Sequence, residues 1–368
     1  MSRKVGVAGL IAAFVWLGLE LGAAQAATFT PYPTSNAILS QLAAASGVSA
    51  SQAQADVALQ RSALDTIQAL IAKGDTVNVD DTDATIDVVG SIAPVAVPPS
   101  VASRIVQEKS APVMNTASIS PTPTTSCAAV GGNWLGYTYC VPVQPGGTIA
   151  RTLSGAPGVV FICTAGWVVE TSAGYYTMTA GHCGDWGTTW YSQTYLSTGS
   201  GGSGCSIGSS IGGNSPWGGY DFAYEPVSGG SCSGDWAYIH ENGTDVPQQG
   251  AVTPFGGEYV CHQGATSGFS CGQIPSGYAN TNIIEIYDGS NYVIHNADVV
   301  CGGNVAGGDS GGPGADETYL GAATGIVITG RQGVSGTTYS PCAAGQSIWT
   351  EEDIQMILTA MGGWVFTS

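Results

Sequence analysis

The sequence predicts an all-β body closed by one C-terminal helix and preceded by a separate helical segment. From about residue 146 onward, short runs of β-branched and aromatic residues alternate with turns, in a chain holding 55 glycines among 368 residues. Between residues 49 and 73 the pattern changes to apolar residues at helical spacing. All ten cysteines lie from Cys127 onward, so the helical segment and the β body are chemically distinct.

At the start, Met1-Ser2-Arg3-Lys4 is a short basic head. Residues 5–21 are apolar apart from Glu20, and Ala24-Gln25-Ala26 is a small-x-small cleavage signal. This order reads as a secretory signal peptide over residues 1–26. The apolar run is short for a membrane anchor, so the expectation is a secreted, extracellular protein. In the next segment, Asn36–Ser46 and residues 49–73 are rich in Ala, Leu and Gln. Ser49 offers a helix cap, Val57, Leu59, Leu64, Ile67, Leu70 and Ile71 recur at helix-like spacing, and Gly74 stops the helix. A strand-like stretch at 84–89 follows, then Pro/Ser/Thr-rich stretches at 94–99 and 118–125. A helical, cysteine-free segment in this place reads as a propeptide over residues 27–112, with an ordinary N-terminal helical domain as the alternative. Residues 113–145 read as a linker or N-terminal extension, and 146–368 as the main domain.

Within that domain strands are expected at 158–162, 166–170, 175–179, 221–226, 258–261, 282–287, 292–299 and 321–328. The last element differs. Thr350 offers a hydroxyl cap, with Glu351, Glu352 and Asp353 as an acidic first turn. Ile354, Ile357, Leu358 and Met361 line the apolar side of this helix, and Gly362-Gly363 ends it.

The formal net charge is −18, and after Lys109 the basic residues are Arg151 and Arg331 alone. No basic patch can be built, which excludes nucleic acid and anionic membrane surfaces as partners. The acidic balance serves solubility, or it adapts the fold to acid. Near the sequence pI of 4.1, carboxylates neutralise and little positive charge is left to repel itself. Scarce lysine also removes sites for trypsin-like cleavage. An even cysteine count in an exported chain reads as disulfides. Zinc is the rival, because His182-Cys183 and Cys261-His262 are adjacent pairs, but neither C-x-x-C nor H-x-x-x-H spacing occurs. No metal or cofactor is called for.

The chemistry centres on Val305-Ala306-Gly307-Gly308-Asp309-Ser310-Gly311-Gly312-Pro313-Gly314. Glycine loses backbone entropy on folding, so such a cluster needs a reason. It is either a flexible loop, or a backbone that approaches a reacting atom and aims N–H groups at it. Serine is a weak nucleophile alone and needs a base, a group that orients the base, and donors for a developing oxyanion. Of the four histidines His182, His240, His262 and His295, the first ends a strand-like run beside Cys183, a good mount for a general base. A carboxylate at the start of a buried strand comes from Gly219-Tyr220-Asp221-Phe222 or from Gly234-Asp235-Trp236-Ala237; the residues alone leave both open.

Thr179-Ala180-Gly181-His182-Cys183 and Gly308-Asp309-Ser310-Gly311-Gly312-Pro313 resemble the signatures of chymotrypsin-like serine proteases. Val260-Cys261-His262-Gln263-Gly264-Ala265-Thr266-Ser267-Gly268, with Cys271-Gly272, resembles a cysteine loop of the bacterial branch, the streptogrisins and alpha-lytic protease. The resemblance spans roughly residues 146–368. It implies two six-stranded antiparallel β-barrels with the active site between them, often made with a removable N-terminal prosegment. It favours Asp221 over Asp235. Ser310 would be the nucleophile, His182 the general base and Asp221 its orienting partner, with the N–H groups of Gly308 and Ser310 as oxyanion hole. Losing one such donor costs about 3 kcal/mol in the transition state, more than the roughly 1 kcal/mol of entropy that a glycine costs. The resemblance also implies the bridges Cys163–Cys183, Cys261–Cys271 and Cys301–Cys342, leaving Cys205 with Cys232 and Cys127 with Cys140.

Departures from the family pattern matter. No basic residue precedes an Ile-Val-Gly-Gly-like start, so activation by inserting a new N-terminus is not expected. Where the bacterial branch has an arginine that pairs with the aspartate before the serine, this chain has His262. The expectation is an Asp309–His262 pair, with an exposed loop histidine as the alternative. Pocket walls are expected from residues 304–307 and 328–331, with Asn304, Ile328, Thr329 and Gly330 as lining. Ile328, or Thr329 after a one-residue gap, stands where the family often has a serine that supports the aspartate. No carboxylate marks the pocket base and no histidine follows Ser310, so apolar or aromatic side chains are the expected preference. The sequence thus reads as a secreted serine endopeptidase, monomeric, acting on proteins or peptides, bound by its own propeptide and without a membrane anchor. The alternative is an inactive homologue serving as a secreted binding module. If the fold is acid-adapted, it should survive low pH while catalysis fades, because an unperturbed imidazole titrates near ~6.5.

Overall fold

A computed structural model of the chain describes residues 36–80, 85–89, 95–108, 117–119, 145–152, 160–184, 187–192, 206–214, 219–227, 238–241, 244–287, 290–317, 321–331, 341–343 and 345–367. The expected signal peptide, Asp235 and the cysteines at 127, 140, 205 and 232 lie outside these residues.

Helices α1 (Asn36–Ser46) and α2 (Ala50–Ala72) form where the Ala/Leu/Gln pattern places them. The Ser49 hydroxyl accepts the Gln52 N–H at 3.2 Å, and Gly74, at φ +91°, turns the chain away. A sheet of β1 (Thr76–Asp80), β2 (Thr85–Val89) and β3 (Ile105–Glu108) follows, with the short α3 (Pro99–Ala102) before its last strand. This segment does not stand apart from the β body. Leu64, Ile67 and Leu70 of α2 share a core with Val77, Val79, Ile86 and Val88 and with Val252 and Phe255 of the body. Leu42, Ala53 and Val57 pack on Tyr259 and on Cys261 and Cys271. Gln60 Nε2 donates to the Gly257 carbonyl at 2.6 Å, and the Gln68 amide exchanges bonds of 2.9 Å with the Thr253 backbone. No helix among the described residues is long and apolar enough to cross a membrane.

After β4 (Ala117–Ile119) the first barrel is built from β5 (Thr148–Thr152), β6 (Val160–Thr164), β7 (Val168–Thr171), β8 (Gly174–Ala180), β9 (Thr189–Ser192), β10 (Ser206–Ser209), β11 (Gly212–Asn214) and β12 (Phe222–Pro226). Strands β6 and β7 are two arms of one strand bent at 165–167, and β10 and β11 of another bent at 210–211. Counted so, the pairings β5–β6, β7–β8, β8–β12, β12–β11, β10–β9 and β9–β5 close a ring of six. A hairpin of β13 (Tyr238–Glu241) and β14 (Thr244–Pro247) and the short β15 (Gly250–Ala251) lead to the second barrel. It comprises β16 (Tyr259–Gly264), β17 (Gly268–Gln273), β18 (Thr281–Tyr287), β19 (Ser290–Cys301), β20 (Pro313–Asp316), β21 (Ala322–Arg331) and β22 (Ile348–Asp353). Here β16, β17, β19, β22, β21 and β20 pair in a closed cycle, and β18 extends β19 as a long hairpin. Helix α4 (Ile354–Met361) and β23 (Gly363–Val365) end the chain, β23 returning to the first barrel beside β7. At the bend of the first barrel, Trp167 Nε1 donates to the carbonyls of Gly314 and Gly325 in the second, at 3.1 and 3.0 Å.

Every strand expected in the body is present, with neighbours too short or glycine-rich to show alternation. One element is corrected. Thr350 does not cap the last helix, and Glu351 and Glu352 are not in its first turn. They belong to β22, paired with β19 on one side and β21 on the other. Asp353 is the cap, its Oδ1 accepting from Gln355 N–H at 2.5 Å and Met356 N–H at 3.3 Å. A Thr-Glu-Glu-Asp run looks alike in both roles; the two flanking strands decide between them. Gly362, at φ +64°, closes the helix as expected.

Candidate active site

His182 lies in a single 3-10 turn, Gly181–Cys183, at the end of β8. The Cys163–Cys183 disulfide ties that turn to β6, and Arg151 Nε donates to the Cys183 carbonyl at 2.6 Å. Antiparallel pairing sets Phe222 opposite Ala180, so Asp221 arrives beside the turn despite its distance in sequence. One Asp221 oxygen accepts the His182 backbone N–H at 2.7 Å, and the other lies 2.6 Å from Nδ1. A carboxylate offers no proton, so Nδ1 donates and Nε2 is left to accept. Nε2 lies 2.9 Å from Ser310 Oγ. Asp221 is fully buried and His182 nearly so.

Ser310 comes from the other barrel, in the turn between β19 and β20. Its loop rests against the first barrel. The Ser310 carbonyl accepts the Thr164 N–H at 2.8 Å, and Thr164 Oγ1 donates to the Gly308 carbonyl at 2.8 Å. A Cβ on Gly311, at φ +84°, would lie 2.1 Å from Thr179 Oγ1; the two glycine-marked motifs touch there. Gly308 has φ +103°, and a Cβ on it would meet Thr266 Oγ1 at 2.4 Å. Among the described residues, neither the Gly308 N–H nor the Ser310 N–H has a hydrogen-bond partner. The loop therefore sets two donors beside a hydroxyl that faces an imidazole. Such an arrangement can deliver an alkoxide to a carbonyl carbon and hold the resulting oxyanion.

Asp309 corrects an expectation. Its Oδ1 accepts from the N–H groups of Thr266 and Ser267 at 2.8 and 2.9 Å, and its Oδ2 from Ser267 Oγ and Ala306 N–H, both at 2.6 Å. Four uncharged donors satisfy this carboxylate, and no Asp309–His262 bond forms. Nor is His262 an exposed loop residue. It is buried, its Nε2–H donates to the Asn304 carbonyl at 2.8 Å, and its ring meets Trp349 edge-on. Burial holds the imidazole below its ordinary pKa against the pull of Asp309, so it is neutral in the fold.

The expected pocket residues divide. Asn304 is exposed on the turn after Cys301, which is bridged to Cys342. Gly330 lies against Val305, where a Cβ would come within 2.6 Å of the valine side chain, so the two expected walls do meet. Ile328 instead packs into the main core, at a register shift in β21 that re-aims it. Neither Ile328 nor Thr329 supports Asp221: among the described residues Thr329 Oγ1 is buried without a hydrogen-bond partner. The bridges Cys163–Cys183, Cys261–Cys271 and Cys301–Cys342 are formed, which takes up the sulfurs the zinc reading needed. Sequence reasoning passed over Thr164, Thr266, Ser267 and Glu352. A hydroxyl beside each cysteine-loop or strand terminus was the available signal for the first three; Glu352 gave none.

Around the site the body buries further carboxyls. Glu225, Glu258, Asp298, Glu351 and Asp353 are at most 2% exposed and, among the described residues, have no cationic partner. Burial pushes Glu225 and Glu351 up to about 8 and Asp353 up to about 7. Burial and neighbouring carboxylates lift Glu258 and Asp298 well above the usual range.

No family model matches the sequence, and no curated protein matches it. Among solved structures, Thermobifida fusca protease A is 22% identical, with 61% of this chain and 100% of that chain covered and a TM-score of 0.45. Cellulomonas bogoriensis chymotrypsin is 24% identical, covering 61% and 99% with a TM-score of 0.42, and Nocardiopsis protease 20%, covering 61% and 100% with a TM-score of 0.44. These neighbours are bacterial chymotrypsin-like serine proteases, an alpha-lytic protease homologue also among them, and the likeness is one of fold.

Proposed function

We propose that the protein is a secreted serine endopeptidase. Ser310 attacks the carbonyl carbon of a peptide bond, and His182 takes its proton and passes it to the leaving amine. Asp221 fixes the imidazole tautomer and stabilises its charged form, while the N–H groups of Gly308 and Ser310 hold the oxyanion. Water then hydrolyses the acyl-enzyme by the same route. The observation that carries this reading is the line from Asp221 Oδ2 through His182 to Ser310 Oγ, with contacts of 2.6 and 2.9 Å. In this reading residues 27–112 are a propeptide, supported by the shared cores of α2 and the body, and 146–368 the protease domain. The P1 preference is apolar or aromatic, supported by Val305 and Gly330 where the walls meet.

The test is reaction of the secreted protein with a fluorophosphonate, alongside a peptide-substrate panel. Ser310 is expected to label, and Ser310→Ala to lose both labelling and hydrolysis. Folded, proteolytically matured protein that neither labels nor cleaves any peptide overturns the proposal.

A further inference from the structure

Asp221 and His182 belong to one barrel and Ser310 to the other, so their meeting depends on what holds the barrels in register. Two hydrogen bonds cross the junction at Asp221. The His295 N–H of β19 donates to the Gly219 carbonyl at 2.8 Å, and the N–H of Asp221 itself donates to Glu352 Oε2 at 3.0 Å. Glu352 is fully buried in β22, opposite Ala297 of β19 and Ile326 of β21. It is thus fixed by the sheet of the second barrel while its side chain reaches the first. Gly219, at φ +85°, lets the turn lie flat on β19, where a Cβ would stand 2.8 Å from the His295 ring. The backbone of the residue that orients His182 is therefore anchored to the barrel that carries Ser310.

We infer that Glu352 is a positioning residue for the Ser310–His182–Asp221 line, holding Asp221 by its backbone from the opposite barrel; this rests on the catalytic reading above. What Glu352 supplies is an acceptor oxygen at a fixed point. Glutamine keeps that acceptor, and methionine of similar length removes it. A misplacement of reacting groups on the order of 1 Å costs about 100-fold in rate, and loss of positioning alone acts on kcat rather than on KM.

The experiment compares wild type, Glu352→Met and Glu352→Gln in peptide hydrolysis, with Tm measured on each. Glu352→Met is expected to lower kcat about 10- to 100-fold with KM within about twofold, and Glu352→Gln to recover most of that loss. If Glu352→Met does not fold, Glu352→Asp, which keeps the carboxyl group but withdraws the acceptor by one methylene, is read in its place. A folded Glu352→Met or Glu352→Asp with wild-type kcat overturns the inference, as does a Glu352→Gln protein as slow as Glu352→Met. Wild-type labelling at Ser310 is measured first. If it is absent the catalytic reading fails, whereas an active wild type with an indifferent position 352 sinks the positioning role alone.

Discussion

Asp221 and Asp309 flank Ser310 and are as deeply buried as Glu225 and Glu351, yet the two pairs have opposite surroundings. Asp309 accepts four hydrogen bonds, and Asp221 accepts from both the backbone and the ring of His182. Among the described residues Glu225 has no hydrogen-bond partner on either oxygen, and Glu351 has only the Thr324 hydroxyl close by. The difference teaches that burial does not by itself set the charge of a carboxyl. Donors stabilise the anion, and their absence favours the proton. In a chain with 8 basic residues against 26 acidic ones, cations cannot serve all the buried acids. At the candidate site amides and hydroxyls do that work; in the barrel interiors protonation does.

The largest effect tests the donor-rich side. Asp221→Asn should keep the fold while lowering kcat about 10,000-fold, because the imidazole loses the partner that fixes its tautomer. Peptide hydrolysis and Tm measured together check this, and a fall of less than tenfold would erase the distinction drawn for that carboxyl. The next tests the raised interior carboxyls as a group: Glu225 and Glu351, and Asp353, whose burial outweighs its two helix-cap donors. Glu225 and Glu351 at about 8 and Asp353 at about 7 bind protons in the fold that the unfolded chain releases near ~4. Their contribution to stability is therefore full below pH ~4 and is lost as pH rises through 7 to 8. Thermal scans should give a higher Tm at pH 4 than at pH 8; the opposite trend breaks the comparison.

Asp309→Asn leaves N–H groups facing an amide that can accept at only one oxygen. A loss of about 1–3 kcal/mol in chemical denaturation is expected, with slower labelling of Ser310. Glu225→Leu removes one titrating group from the interior. The slope of stability with pH should flatten by up to about 1.4 kcal/mol per pH unit across the interval where Glu225 alone would change state. An unchanged slope would mean that Glu225 is not protonated in the fold. The smallest effect runs the other way. His262 is held neutral by burial, so its contribution is present above its ordinary pKa near ~6.5 and fades as pH falls below it. His262→Phe should remove that fading, seen as a slightly smaller gap between unfolding midpoints at pH 6.5 and pH 4 once the carboxyl effect is subtracted.

Much of the site was legible because its demands are local. A glycine with φ near +100° two residues before a serine, and a histidine pinned by its neighbouring cysteine, are written in nearby residues. The capped helix α2 and the Gly362 stop are legible for the same reason. What could not be read depended on who lies opposite. The Asp309–His262 pair failed because the turn after β16, the strand that carries His262, supplied better donors from Thr266 and Ser267. Thr350 failed as a cap because β19 and β21 claimed its backbone.

By itself, then, the amino-acid order determined the β body, its terminal helices, and a hydroxyl and an imidazole each on a mount suited to chemistry, since periodicity, capping and glycine conformation act within a few residues. Only the tertiary structure decided which aspartate meets His182, which donors surround Asp309, that Ile328 turns into the core, and that Glu352 reaches across to Asp221. Those outcomes turn on hydrogen-bond geometry and burial between segments up to 131 residues apart, where short-range pattern carries no information.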